Sequence, residues 1–86
     1  MKTFKDLEFK PHFMGEGVAS RLSFDNGYGV SVVRTSFTYG GKEGLYELAV
    51  LDSDGSLTYS TPVTNDVIGY LSEDEVSDIM EQVQKL

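Results

Sequence analysis

The chain contains no cysteine, and it contains no lysine or arginine between Lys42 and Lys85. The absence of cysteine excludes disulfides and thiolate metal ligands, which often stabilise domains of this size. No apolar run approaches the roughly 18–20 residues of a membrane span, and the opening MKTFKDLEFK lacks the apolar segment of a signal peptide. We therefore expect a cytoplasmic protein in which residues 1–86 form a single domain with one small core.

The missing basic residues divide the chain into two halves of opposite charge. Residues 1–42 include six basic and four acidic residues, whereas residues 43–84 include ten acids and no base. The net charge of −7 therefore belongs to the second half. Such charge acts on partners and association rates rather than on the fold. It predicts a basic protein surface as partner, and it disfavours direct binding to nucleic acid or to anionic membranes.

The C-terminal segment has the clearest local signature. Ser72 and Glu75 have the spacing of a capping box, in which each residue binds the backbone N–H of the other. Behind this box, apolar residues recur at helical spacing: Val76, Ile79, Met80, Val83 and Leu86. The pattern predicts one amphipathic α-helix over about Glu73–Lys85, with an acidic outer face and an apolar face packed on a sheet.

The segment Val18–Asp25 alternates as a strand does, and Asp25-Asn26-Gly27 supplies a turn after it. A two-residue loop would place apolar residues opposite polar residues or glycine. A three-residue loop with a left-handed Gly27 pairs Leu22 with Val30 and collects the apolar residues on one face. We therefore predict a hairpin with the longer loop.

The remaining segments predict further antiparallel strands. The second strand should run from Tyr28 to about Tyr39, the third over Leu45–Leu51 and the fourth over Ser56–Thr61, the last two in an undetermined register. Thr64–Tyr70 fits either one helical turn or a short strand, and the apolar N-terminus suggests an edge strand before Pro11. The expected fold class is α+β: a four-stranded antiparallel meander with one C-terminal helix on a sheet face.

Few residues have the pattern of a catalytic, metal or cofactor site. His12 alone titrates near neutrality by default, and neither a nucleophile nor an orienting carboxylate accompanies it. Asp52-x-Asp54-Gly55 lacks the later ligands of a calcium loop and fits a turn. The loop 40–44 lacks the spacing of a phosphate-binding loop. We therefore expect a protein that is not an enzyme and binds neither metal nor cofactor.

The aromatic residues of the strands admit two interpretations. Aromatic side chains on a sheet can stack nucleic-acid bases, but that mode also needs a basic groove. Core packing and cross-strand pairing account for most of them. One or two exposed tyrosines beside acids would instead suit a protein-binding patch.

Four segments together carry a resemblance to a known class of protein. They are Phe4-x-Asp6-Leu7-x-Phe9-x-Pro11-His12, Asp25-Asn26-Gly27-Tyr28-Gly29-Val30-Ser31-Val32-Val33, Gly44-Leu45-Tyr46-Glu47-Leu48-Ala49-Val50-Leu51 and Asp66-Val67-Ile68-Gly69-Tyr70-Leu71. Over most of its length the chain resembles small accessory proteins of tailed bacteriophages and prophages. The resemblance implies no catalytic residues. It implies a protein that binds and blocks a host protein, including a component of a host defence system.

Three functions follow from these observations. The first is a non-enzymatic inhibitor or modulator that docks acids on a basic host protein, with these residues in contact: Asp52, Asp54, Glu73, Asp74, Asp78 and Glu81. The second is a structural or homo-oligomeric assembly protein. The third is a protein that sequesters a nucleotide. Such a protein would need basic residues such as Arg21 and Arg34 to bind the phosphate groups. The acids would alternatively serve only to keep a small domain soluble.

Overall fold

The structure, a computed structural model, describes residues 1–11, 16–64 and 66–86. In these residues five antiparallel strands form one open sheet, and each strand pairs with its neighbour in sequence. The elements in chain order are β1 (Lys10–Pro11), β2 (Val18–Ser23), β3 (Gly29–Arg34), β4 (Tyr46–Leu51), β5 (Ile68–Leu71) and the helix α1 (Glu73–Gln84). The α+β meander with a C-terminal helix is confirmed, but it has five strands rather than four.

The predicted first hairpin is confirmed in its register. Leu22 lies opposite Val30, the Phe24 N–H donates to the Tyr28 carbonyl at 2.7 Å, and Gly27 has a φ of +91°. The three-residue loop forms because the left-handed conformation favours glycine. Apolar side chains of both strands thereby reach the same face of the sheet.

The strand after this hairpin is shorter than predicted, because it ends at Arg34 rather than near Tyr39. A tight turn follows, in which the Thr35 N–H donates to the Thr38 hydroxyl at 3.0 Å and the Thr38 N–H donates to the Thr35 carbonyl at 3.3 Å. Threonine side chains at this spacing offer the backbone an alternative to the strand ladder. The turn directs the following aromatic residues away from the sheet.

The predicted fourth strand over Ser56–Thr61 was wrong. This segment forms only a single bridge, in which Leu57 lies opposite Leu51. The edge of β4 instead pairs with β5. The segment Thr64–Tyr70, for which the sequence allowed a helical turn or a short strand, therefore contributes to a strand, which runs from Ile68 to Leu71. The physical reason is burial: Leu71 joins the core, whereas Leu57 is 48% exposed.

The core lies between the sheet and α1. Seven side chains in it are less than 2% exposed: Val30, Val32, Leu48, Val50, Val76, Met80 and Val83. The predicted edge strand is present only as the two residues of β1, which pair with Val18 and Ala19. Ahead of it, Phe4–Asp6 form a 3-10 turn, and the N-terminal segment lies along α1: the Phe4 N–H donates to the Ser77 hydroxyl at 2.9 Å. The N-terminal segment therefore borders one side of the helix.

Candidate functional site

The predicted acidic face of α1 is present as a strip on the solvent side of the helix. Asp74, Asp78 and Glu81 are all exposed, and their i, i+4, i+7 spacing places them on one side of the helix. The opposite side of the helix is buried by Val76 and Met80. We call these three residues the acidic strip.

Three of the acids predicted for the helix have basic neighbours. Glu81 pairs with Lys85 at 3.0 Å, the only ion pair within 4.0 Å among residues 1–11, 16–64 and 66–86. Glu73 and Asp74 line an open depression together with Lys5 of the N-terminal segment. Of the four acids predicted for the helix, Asp78 is thus the one whose charge is least compensated locally.

The two acids of the turn after β4 lie on a different element from the acidic strip. One carboxylate oxygen of Asp52 accepts the N–H of Asp54 at 2.9 Å and the N–H of Ser56 at 3.1 Å, so Asp52 shapes the turn. Asp54 itself is exposed. Within the described residues, no group of three or more His, Cys, Asp or Glu side chains is arranged to hold a metal ion.

The turn that holds Asp52 lies near the C-terminal end of α1. Ser53 approaches Gly27 of the first hairpin, and the neighbouring Asn26 donates from its side chain to the Val83 carbonyl at 2.8 Å. Val83 follows Glu81 by two residues, so the turn lies towards the Glu81 end of the acidic strip and farther from Asp74. The six predicted acids thus belong to two elements, four on α1 and two in the turn.

The start of α1 is held by the predicted capping box. The Ser72 hydroxyl accepts the Glu75 N–H at 3.2 Å, and the Glu75 carboxylate accepts the Ser72 N–H at 3.0 Å. The bond from the Ser72 backbone, followed by the bond with its hydroxyl, lowers the pKa of Glu75 below its ordinary value of 4.5. A charged Glu75 therefore supports the helix end that presents Asp74.

This shift of pKa predicts a pH dependence of stability. The folded state holds Glu75 at a lower pKa than the unfolded state, so the stabilisation is fully present above pH 4.5 and disappears as pH falls through the folded pKa. We expect Glu75→Gln, which retains an acceptor but not the charge, to be less stable than the wild type at pH 7 and to lose less stability on acidification. Urea unfolding at several pH values measures both proteins, and equal losses in acid would contradict the assignment.

The arginines that a nucleotide-binding function would require are engaged within the protein. Arg21 donates to the Gly55 carbonyl at 3.1 Å. Arg34 donates to the Tyr46 hydroxyl at 3.1 Å, and its guanidinium lies 5.0 Å from the centre of the same ring. Each hydrogen bond uses one of the five donors of a guanidinium, so the fold engages both arginines only in part.

Sequence reasoning allowed for one or two exposed tyrosines but did not identify which aromatic side chains are exposed. Phe37, Tyr39 and Tyr70 are 88%, 61% and 58% exposed, whereas the strand prediction would have paired the first two within the sheet. We call these three residues the aromatic surface. The threonines of the turn at 35–38 and the following Gly40-Gly41 were the signals in the sequence that the strand ends early.

Two further predictions bear on the site. His12, the one residue that titrates near neutrality by default, lies outside the described residues. Among the residues that the structure describes, no helix has the length and apolar character needed to cross a membrane.

Comparison of the chain with family models, with curated proteins and with solved structures gives no match. The function must therefore be inferred from the surface of the protein itself.

Proposed function

We propose that this chain is a non-enzymatic, phage-type accessory protein that acts in the bacterial cytoplasm. It binds a basic surface of a host protein, such as a nucleic-acid-binding or defence factor, and inhibits or modulates that protein. The observation that carries the proposal is the exposed acidic strip, in which neither Asp74 nor Asp78 forms an ion pair within 4.0 Å among the described residues.

The helix presents these charges in a fixed arrangement. Val76, Met80 and Val83 anchor its inner side in the core, and the capping box holds its start. Residues four apart lie about 6 Å apart along the helix axis, so the carboxylates form a row of negative charges, as phosphates do. A basic surface that normally holds nucleic acid would be attracted to such a row, and the attraction would accelerate association at low salt.

The homo-oligomeric alternative has weaker support, because both edges of the sheet are obstructed. Pro11 in β1 has no N–H to donate to an added strand. At the other edge, the Tyr70 N–H of β5 already donates to the Tyr39 carbonyl at 3.1 Å. Strand addition between copies would have to displace this contact.

Charge reversal on the helix tests the proposal. A tagged protein captures its partner from a bacterial lysate at low salt, and mass spectrometry identifies a basic protein that is released at high salt. We expect Asp78→Lys to slow association with that partner by about tenfold or more at low salt. Surface plasmon resonance measures the rates.

Asp54→Lys is the matched control, because it makes the same change of charge at an exposed turn residue that is not part of the strip. We expect it to slow association much less than the helix variant does. Equal effects of the two variants would mean that the net charge of the protein, and not the acidic strip, controls the association rate. Rates that are insensitive to salt would contradict electrostatic docking altogether.

A further inference from the structure

We propose that the aromatic surface is a second part of the docking site and receives an arginine side chain of the protein partner. The inference rests on the proposed function for the basic character of that partner. The inference itself depends on other residues, those of the aromatic surface. It also depends on another kind of contact, the stacking of a cation on aromatic rings, which the acidic strip does not supply.

Phe37 does not stabilise the fold by burial, because it lies on the surface. Its side chain is 88% exposed, and it projects from the hydrogen-bonded turn between Thr35 and Thr38. Its backbone N–H donates to the Thr35 hydroxyl at 3.0 Å. The turn therefore holds a phenylalanine outside the core, as expected for a residue that contacts a partner.

Tyr70 is held in a strained backbone conformation. Its φ of +56° makes it the only residue other than glycine with a positive φ among residues 1–11, 16–64 and 66–86. A bulky side chain rarely adopts this conformation, and such strain persists where the surroundings impose it, often at functional sites. Because the ring of Tyr70 is nevertheless 58% exposed, burial of the ring does not explain why a tyrosine occupies this position.

Close backbone packing fixes the two tyrosines relative to each other. A Cβ atom on Gly69 would lie 2.3 Å from the Cβ of Tyr39, and one on Gly40 would lie 2.9 Å from the Cα of Tyr70. The Tyr39 N–H also donates to the Glu47 carboxylate at 2.8 Å. The aromatic surface is thus preorganised, which lowers the entropy lost on binding.

The chemistry around the aromatic surface favours a guanidinium group. Tyr39 and Tyr70 line an open depression of about 360 Å³ together with Glu43 and Lys42, whose charges offset each other. The attraction therefore comes from the rings: aromatic rings attract cations, and a planar guanidinium stacks on them better than an ammonium does. Phe37 lies outside the depression, two residues before Tyr39, and an exposed apolar side chain there suits a protein segment better than a free cation.

The aromatic surface is close to the acidic end of α1. Tyr70 precedes the cap residue Ser72 by two positions, so Glu73 lies within about 11 Å of it along the chain. The first turn of α1 carries three acids. This charge is complementary to a basic segment, and it opposes the stacking of nucleic-acid bases on the same rings.

Titration of the ¹⁵N-labelled full chain with the peptide acetyl-Gly-Arg-Gly-amide tests this inference. We expect chemical-shift changes concentrated at the amides of residues 37–43 and of Tyr70. The same peptide with citrulline, a neutral isostere of arginine, should bind about two- to fivefold more weakly, as the loss of one exposed cation–π contact predicts.

Three variants separate binding from folding. Tyr70→Asn removes the ring but tolerates the left-handed backbone, so we expect an unchanged or higher urea midpoint and loss of the shift changes. Phe37→Ala alters an exposed side chain, so it should leave the urea midpoint unchanged while weakening the binding of the peptide. Asp78→Lys should leave these shift changes in place, so that failure of the acidic strip and failure of the aromatic surface are distinguishable.

Three outcomes would overturn the inference. Equal binding of the arginine and citrulline peptides would remove the preference for a guanidinium. Shift changes confined to α1 would assign the peptide to the acidic strip alone. Broadening of the residue 37–43 amides on concentrating the protein without peptide would identify a second copy of the chain as the occupant.

Discussion

Replacement of Met80 by alanine is expected to lower the free energy of unfolding by about 2–5 kcal/mol. Met80 is 0% exposed and belongs to the same core cluster as Val32 and Leu48. Truncation removes buried apolar surface and leaves a cavity that a small core fills only in part. A domain of this size has a modest total stability, so the variant should be close to unfolding at physiological temperature.

Urea and thermal unfolding followed by circular dichroism measure this effect. Each kcal/mol corresponds to about 4–8 °C in the melting temperature of a domain of this length. Met80→Leu keeps the volume and should cost less than about 1.5 kcal/mol, and Gln82→Ala on the exposed side of the same helix should change little. A loss in Met80→Ala no larger than in Gln82→Ala would contradict the packing of α1 on the sheet.

Replacement of Gly41 by alanine is expected to disrupt the loop that carries the aromatic surface. A Cβ atom at this position would lie 1.6 Å from the Thr35 carbonyl oxygen and 2.7 Å from the Thr38 hydroxyl. The turn between these threonines would have to open to accommodate it. We expect a destabilisation of about 1–3 kcal/mol or more, together with altered amide and ring resonances of Phe37 and Tyr39.

Gly44→Ala provides the matched control in the same loop. No atom lies within 4 Å of a Cβ at that position, but Gly44 has a φ of +78°. This variant should therefore cost about 1–2 kcal/mol through backbone strain alone and leave the Phe37 resonances in place. If the two alanine variants shifted those resonances equally, steric overlap at Gly41 would not be the cause.

The elements that local chemistry defines were predictable from the sequence. The start of α1 follows from the capping box at Ser72, and its buried side follows from apolar residues at helical spacing. The hairpin register follows from Gly27, because only one loop length both uses its left-handed conformation and keeps the apolar side chains on one face. The helix ends at Gln84 rather than at the predicted Lys85, which is within the usual fraying of a helix end.

The choice of strand beside β4 was not predictable in this way. Ser56–Thr61 and the segment that contains β5 are both short, and both contain apolar residues that a strand could use. Burial in the assembled core decides between them: Leu71 can pack under α1, whereas Leu57 stays on the surface. Long-range contacts of this kind leave no periodic signature within a few residues.

The candidate site, too, was predictable from the sequence only in part. By itself the sequence determined the excess of acids in the second half and the side of α1 that carries Asp74 and Asp78, because helical periodicity is a local property. Only the tertiary structure decided that Lys5 lines a depression with Glu73 and Asp74, that the turn at Asp52 lies near the C-terminal end of α1, and that the aromatic surface is exposed. Each of these results depends on how distant segments pack together, and packing is a property of the folded chain rather than of any short stretch of it.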